Sequence, residues 1–163
     1  MNKAKEWINR LNMQSHPEGG YYSLEYTSPY EITGEMIEEN FHGKRPLSTS
    51  IYFLIEADNV SNLHRLKADE IWYYNDGASL VVAEITDKGE YIEHKLGIHE
   101  GEKPQILIQA GSIFGSYSTG DYSLVSCMVS YGFHFDDFEL FDRKTLLEKY
   151  PEHKQIITKL TKG

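Results

Sequence analysis

The sequence predicts a mainly β domain, a sandwich or a closed barrel, with one helix before it and short helices after it. Three observations carry that expectation. Between about residues 21 and 131 the apolar residues recur with a period of two, as on half-buried strands. Those runs are rich in Val, Ile, Tyr, Phe and Thr, which fit a pleated surface. Turn sequences break them at close spacing, as at Asn75-Asp76-Gly77, Asp87-Lys88-Gly89-Glu90, Ala110-Gly111-Ser112 and Thr119-Gly120-Asp121. Short strands with frequent glycine turns argue against the alternating pattern of a parallel βαβ fold.

The elements follow in order. Residues 3–13 read as a helix, because Ala4, Trp7, Ile8 and Leu11 fall on one stripe. His16-Pro17 ends it, since the residue before a proline is pushed out of the α region. Candidate strands cover 21–26, 48–55, 62–67, 71–75, 79–85, 91–96, 105–109, 112–116 and 123–131. Residues 29–46 have the least regular pattern. They are expected to form a long loop, at most with a helical turn, able to cover a barrel mouth. Asp142 is a suitable N-cap for a helix that follows it, and Pro151 opens a second short helix with Ile156, Ile157 and Leu160 on one face. The expectation is one domain over 1–163: a helix at about 3–13, a barrel at about 20–135 and a helical tail at about 142–161.

Composition narrows the function. A chain of 163 residues, 40% hydrophobic and 25% charged, is long enough to bury a real core. The net charge is −9, from 16 Lys and Arg against 25 Asp and Glu, with no basic cluster. A nucleic-acid partner is therefore not expected. No apolar run reaches the length of a membrane span, and the charged start Met1-Asn2-Lys3-Ala4-Lys5 lacks the apolar core of a signal peptide. The single cysteine, Cys127, cannot form an intramolecular disulfide or a Cys-pair zinc site. Set in an apolar run, it reads as a small buried residue in a reducing cytoplasm.

Two stretches carry candidate chemistry. In residues 61–77, His64 stands six positions before Glu70, across a turn at Lys67-Ala68-Asp69. A hairpin with that spacing can bring an imidazole and a carboxylate onto one face. Alternation groups Asn62, His64 and Leu66 on one strand, and Glu70, Trp72 and Tyr74 on the next. A barrel interior holding these groups is a polar-aromatic pocket suited to a small molecule. The second stretch is Ser15-His16-Pro17-Glu18-Gly19-Gly20-Tyr21-Tyr22. Its glycines permit sharp backbone geometry ahead of a strand, on which Tyr21 and Tyr22 point to opposite faces.

Residues 61–77 resemble the first motif of the RmlC-like cupin superfamily, with His64 as its second histidine, then Glu70 and Gly77. The second cupin motif is echoed around Gly111, with Gln109 at its proline position and Phe114 at its histidine position. The closer resemblance is to the cupin_5 family, formerly DUF985, a family of unknown function. Its pattern is similar to His16-Pro17-Glu18-Gly19-Gly20-Tyr21-Tyr22, Leu63-His64-Arg65, Asp69-Glu70-Ile71-Trp72, and Phe133-His134-Phe135-Asp136-Asp137-Phe138-Glu139-Leu140, in that order along nearly the whole chain. The resemblance implies a cupin double-stranded β-helix, a jelly-roll barrel with an N-terminal helix and short C-terminal helices. It also implies a homodimer.

Many cupins bind a divalent metal through two or three histidines and a carboxylate. Here His64 and Glu70 remain, while Asn62 and Phe114 occupy the other histidine positions. No cofactor is expected, beyond a weakly held divalent metal on His64 and Glu70. Without metal, His64 and Glu70 form a candidate acid/base pair, as the resemblance to metal-free deoxysugar epimerases implies. His64 is then the base, Glu70 orients it, and Tyr22, Tyr52 or Tyr74 is the acid. Asn62, Trp72, Tyr52, Arg45, Gln109, Phe114 and Phe133 are candidate ligand-binding residues. Arg45 and Arg65 could hold an anionic group, although Arg65 should face away from His64. The expected activity is an isomerase or epimerase acting on a sugar-like or oxo-acid ligand. The alternatives are a non-catalytic module that binds or senses a small ligand, and a degenerate metal-dependent oxygenase. The plain structural alternative for the pair is a satisfied His–Glu hydrogen bond inside the barrel.

Overall fold

The computed structural model describes residues 2–38 and 40–163. The chain begins with α1 (Lys3–Arg10), β1 (Gln14–Ser15), β2 (Tyr21–Thr27), β3 (Glu31–Thr33), a 3-10 turn (Gly34–Met36) and β4 (Lys44–Pro46). The main strands follow: β5 (Thr49–Glu56), β6 (Val60–Arg65), β7 (Asp69–Gly77), β8 (Leu80–Ile85), β9 (Tyr91–Leu96), β10 (Gln105–Ile108), β11 (Ile113–Ser118) and β12 (Tyr122–Ser130). After a 3-10 turn (Phe135–Asp137) come β13 (Glu139–Leu140), α2 (Arg143–Lys149), a 3-10 turn (Pro151–His153) and α3 (Lys154–Lys159).

Two antiparallel sheets form the jelly-roll barrel. One has the order β1-β2-β5-β12-β7-β10, the other β13-β6-β11-β8-β9. Register aligns the side chains of the first sheet in rows. Tyr22, Phe53, Val125 and Tyr74 make one row. Leu24, Ile51, Cys127, Trp72 and Ile106 make the next, and Thr27, Thr49, Val129, Glu70 and Ile108 the third. From the second sheet, His64, Phe114 and Glu84 share a row. Burying these apolar side chains between the sheets supplies the main core.

Part of each outer face is covered by helices, where outward-facing apolar residues of the strands need a partner. Ala4, Trp7, Ile8 and Leu11 of the N-terminal segment pack on Tyr21, Tyr52, Leu54, Tyr122 and Leu124. Leu146, Tyr150, Ile157 and Leu160 pack on Leu63, Ala83, Ile85 and Ile113. Asp142 caps α2, accepting a hydrogen bond from the Thr145 amide at 2.9 Å, worth about 1 kcal/mol. Among the described residues, no helix is long and apolar enough to cross a membrane.

Three expectations change. β6 and β7 are not a hairpin, because they belong to different sheets. His64 and Glu70 therefore approach from opposite walls of the barrel. The 29–46 segment is not simply a loop, since β3 and β4 pair antiparallel around the 3-10 turn. Strands of three residues are too short to show a period. The first helix ends at Arg10 rather than residue 13, where Leu11 caps it and Asn12 turns to φ 50°.

Candidate functional site

The site is set by the 15–22 stretch. Gly19 and Gly20 have φ of +109° and +73°, and a Cβ on Gly19 would lie 1.9 Å from the Val60 carbonyl oxygen. Only glycine lets this loop press so close to the start of β6. The close approach brings Glu18 into the barrel, where it is 7% exposed. Two donors of Asn62, its backbone amide and its side-chain Nδ2, bind the Glu18 carbonyl at 2.7 and 2.8 Å. Ser61 Oγ donates to Glu18 Oε1 at 2.9 Å.

The other carboxyl oxygen, Glu18 Oε2, lies 3.1 Å from His64 Nε2. His64 Nδ1–H donates to the Asn62 carbonyl at 2.7 Å, which fixes the tautomer: in the neutral ring, Nε2 is the acceptor. Burial lowers the His64 pKa to about 4, against a smaller upward pull from the Asn62 carbonyl. Burial raises that of Glu18, opposed by His16 and Ser61. Both shifts favour the uncharged forms, and in those forms the Glu18 carboxyl donates to Nε2. Phe114 and Phe138 pack on the imidazole, with ring centroids 4.2 and 5.3 Å away.

A cavity of about 290 Å³ lies against this pair, near the lower end of ligand-pocket sizes. His16, Glu18, His64 and Glu70 supply its titratable groups, with Cys127 beside Glu70. Tyr22, Phe53, Trp72, Phe133 and Phe135 provide aromatic walls. Leu24 and Phe135, both more than half exposed, also line it. Among the described residues no Lys or Arg lines it. Glu70 comes from the wall opposite His64. Burial, reinforced by the nearby Glu18 carboxyl, lifts its pKa to about 8, and the Cys127 thiol only partly offsets this. His16 is held below its usual value by burial; its Nδ1 accepts from the Glu18 amide at 3.2 Å. Burial keeps Cys127 protonated well above neutrality, so the thiol is a buried wall.

Of the residues expected in the pocket, His64, Glu70, Tyr22, Trp72 and Phe133 line it. Phe114 stands behind His64. Asn62 is spent on the Glu18 loop. Tyr74 lies inward in its row but away from the cavity, its hydroxyl donating to the Gly77 carbonyl at 2.7 Å. Tyr52 is on the outer face beneath α1, because its strand parity opposes that of Phe53. Gln109 is exposed, lying just beyond the end of β10. Arg45 is buried in a two-point ion pair with Asp137, at 2.8 and 3.0 Å, and cannot reach a ligand in the cavity. Arg65 faces away from His64, paired with Glu139. Glu18 and His16 are the site residues that sequence reasoning passed over. The signal was their place ahead of two glycines, which implied a close backbone approach to something.

A metal does not fit this donor set. Among the described residues no three His, Cys, Asp or Glu side chains are grouped to hold one. His64 faces a carbonyl on one nitrogen and Glu18 on the other, and Asn62 is turned to the Glu18 carbonyl.

Comparison with solved structures gives the same architecture. A protein from Shewanella oneidensis is 44% identical, covering 98% of this chain and 97% of its own, with a TM-score of 0.88. A hypothetical protein from Leishmania major is 36% identical, with 98% and 99% covered and a TM-score of 0.89. Oxalate decarboxylase from Bacillus subtilis is 15% identical, with 90% of this chain and 36% of that one covered, and its TM-score of 0.55 shows a shared fold alone. No curated protein matches the chain. The family model Cupin_5, described as cupin superfamily (DUF985), matches residues 5–141, and the chain belongs to that family.

Proposed function

We propose that this cupin domain binds a small uncharged carbonyl compound, sugar-like rather than an oxo-acid, and moves a proton on it without a metal. The observation that carries the reading is Glu70: a buried carboxyl lining the cavity, with a pKa of about 8. A group that titrates near neutrality can both take and give a proton at working pH. Ionised Glu70 removes a proton from the carbon beside the carbonyl. The developing oxyanion is met by the Nε2–H of uncharged His16, whose Nδ1 is occupied by the Glu18 amide. Protonated Glu70 then returns the proton to the neighbouring carbon on the same face, while the proton of the adjacent hydroxyl passes to the oxyanion and that hydroxyl carbon becomes the new carbonyl. Glu70 ends as it began, and the product is the isomeric hydroxycarbonyl compound. Because both nitrogens of His64 are engaged, its part is to hold Glu18, and Glu70 replaces it as the mobile base.

Among the described residues no Lys or Arg lines the cavity, which supports an uncharged ligand, since a carboxylate there would meet two carboxyls and no Lys or Arg counter-charge among those residues. The test is deuterium exchange from solvent into a panel of hydroxyketones and keto-sugars, followed by NMR. Exchange that disappears in Glu70→Gln while the ligand still raises the melting temperature upholds the reading. Binding without exchange in the native protein replaces it with a non-catalytic binding module, which the fully engaged His64 also suits.

A further inference from the structure

We infer that Asn62 is a positioning residue, which acts on the cavity through Glu18 and His64 and never touches the ligand. The inference rests on the proton-transfer reading for its purpose, but its geometry stands apart from that reading. Asn62 is 6% exposed and does not line the cavity. It nevertheless makes three contacts that converge on the pair. Its backbone amide and its Nδ2 both donate to the Glu18 carbonyl, at 2.7 and 2.8 Å. Its own carbonyl accepts the His64 Nδ1 proton at 2.7 Å.

Each contact has a distinct consequence. The two donors pin the loop that carries Glu18, whose left-handed glycines would otherwise leave it many conformations. The carbonyl fixes the proton on Nδ1 and leaves Nε2 as the acceptor, which is the tautomer the Glu18 carboxyl needs. Ser61, the preceding residue, holds the second carboxyl oxygen. Adjacent residues of one strand thus orient both ends of Glu18. The face of Glu18 that remains is the one lining the cavity.

The experiment follows His64 and Glu18 by NMR in the ligand-free full-length protein. Asn62→Ala removes the Nδ2 donor and keeps the backbone contacts. The carboxyl should then leave Nε2, water should reach the ring, and the His64 titration midpoint should rise by on the order of one pH unit. Asn62→His, which restores a side-chain N–H toward the Glu18 carbonyl, should bring the midpoint back. Val82→Ala, a core change away from the pair, serves as the control: it should lower the melting temperature without moving His64. If Asn62→Ala lowers the melting temperature but leaves the His64 midpoint and its ring nitrogen shifts as in the native protein, the residue is only structural and the inference fails. Because no substrate is used, this result is independent of whether the exchange reaction is found.

Discussion

The carboxyl that reaches His64 Nε2 is that of Glu18, at 3.1 Å, and not that of Glu70 on the facing wall. The two residues come from parts of the chain far apart in sequence, and each is buried. The uncharged forms that burial favours for both residues make a specific demand on substitution. Glu18→Gln keeps a donor for His64 Nε2 and an acceptor for Ser61, so it should cost less than about 1 kcal/mol. Glu18→Ala strands both partners and should cost about 2–6 kcal/mol, at about 1–3 per unsatisfied group. Urea unfolding of the two variants decides it. A glutamine variant as unstable as the alanine one would mean that the pair is ionised.

Stability should fall on the alkaline side of neutrality. Folded Glu70 titrates at about 8 against an ordinary 4.5. The folded chain holds a proton that the unfolded chain releases, so the stability present below pH 4.5 is lost as pH rises towards 8. His64 acts in the opposite direction, at about 4 against 6.5: stability is lost as pH falls from 6.5 to 4. The raised Glu18 and lowered His16 follow Glu70 and His64 respectively. Between pH 6.5 and 8 the carboxyls act alone, and Glu70 accounts for a decline of about 2 kcal/mol. Chemical denaturation across that range should show the decline in the native protein and much less of it in Glu70→Gln. An equal decline in both assigns it to other groups.

These two residues also show what could be read from sequence. The strands that carry the barrel were legible as short runs of β-forming residues between turn sequences, whether they alternate like β10 or are buried throughout like β8, and their observed ends lie within two residues of expectation. Glu70 and Trp72 were legible as inward-facing because β7 does alternate over Asp69–Tyr73. The Glu18–His64 contact was not, because parity along one strand says nothing about which loop closes over it. Tyr52 and Gln109 were misplaced for related reasons: one sits on the helix-covered face, and the other beyond its strand's end. Arg45 looked free because its partner Asp137 lies in the distant acidic run.

That ion pair gives a third prediction. Arg45 and Asp137 are 4% and 7% exposed and tie β4 to the 3-10 turn beside the cavity mouth. Asp137→Ala leaves a buried guanidinium without its counter-charge and should cost about 3–5 kcal/mol. For a chain of this size that is a fall of roughly 6–20 °C in melting temperature. The double variant Arg45→Met with Asp137→Leu should recover most of it, since an apolar pair needs no desolvated charge. Calorimetry of the single and double variants makes the comparison. A double variant no better than the single one would show that the pair does more than satisfy itself.

The two glycines after Glu18 can be tested against a glycine of similar conformation elsewhere. Gly111 has φ +87° and nothing within 4 Å of a built Cβ, whereas at Gly19, φ +109°, the Cβ meets the Val60 carbonyl oxygen at 1.9 Å. Gly111→Ala therefore carries only the left-handed penalty, about 1–2 kcal/mol. Gly19→Ala adds a collision with backbone that belongs to a central strand, and relief requires the loop to lift. The expected cost exceeds about 3 kcal/mol. Lifting also withdraws Glu18 from His64, so the His64 titration should move toward its ordinary value in whatever fraction stays folded. Gly111→Ala should leave that titration alone. If the two variants cost the same and neither moves His64, the loop does not hold the carboxyl in place.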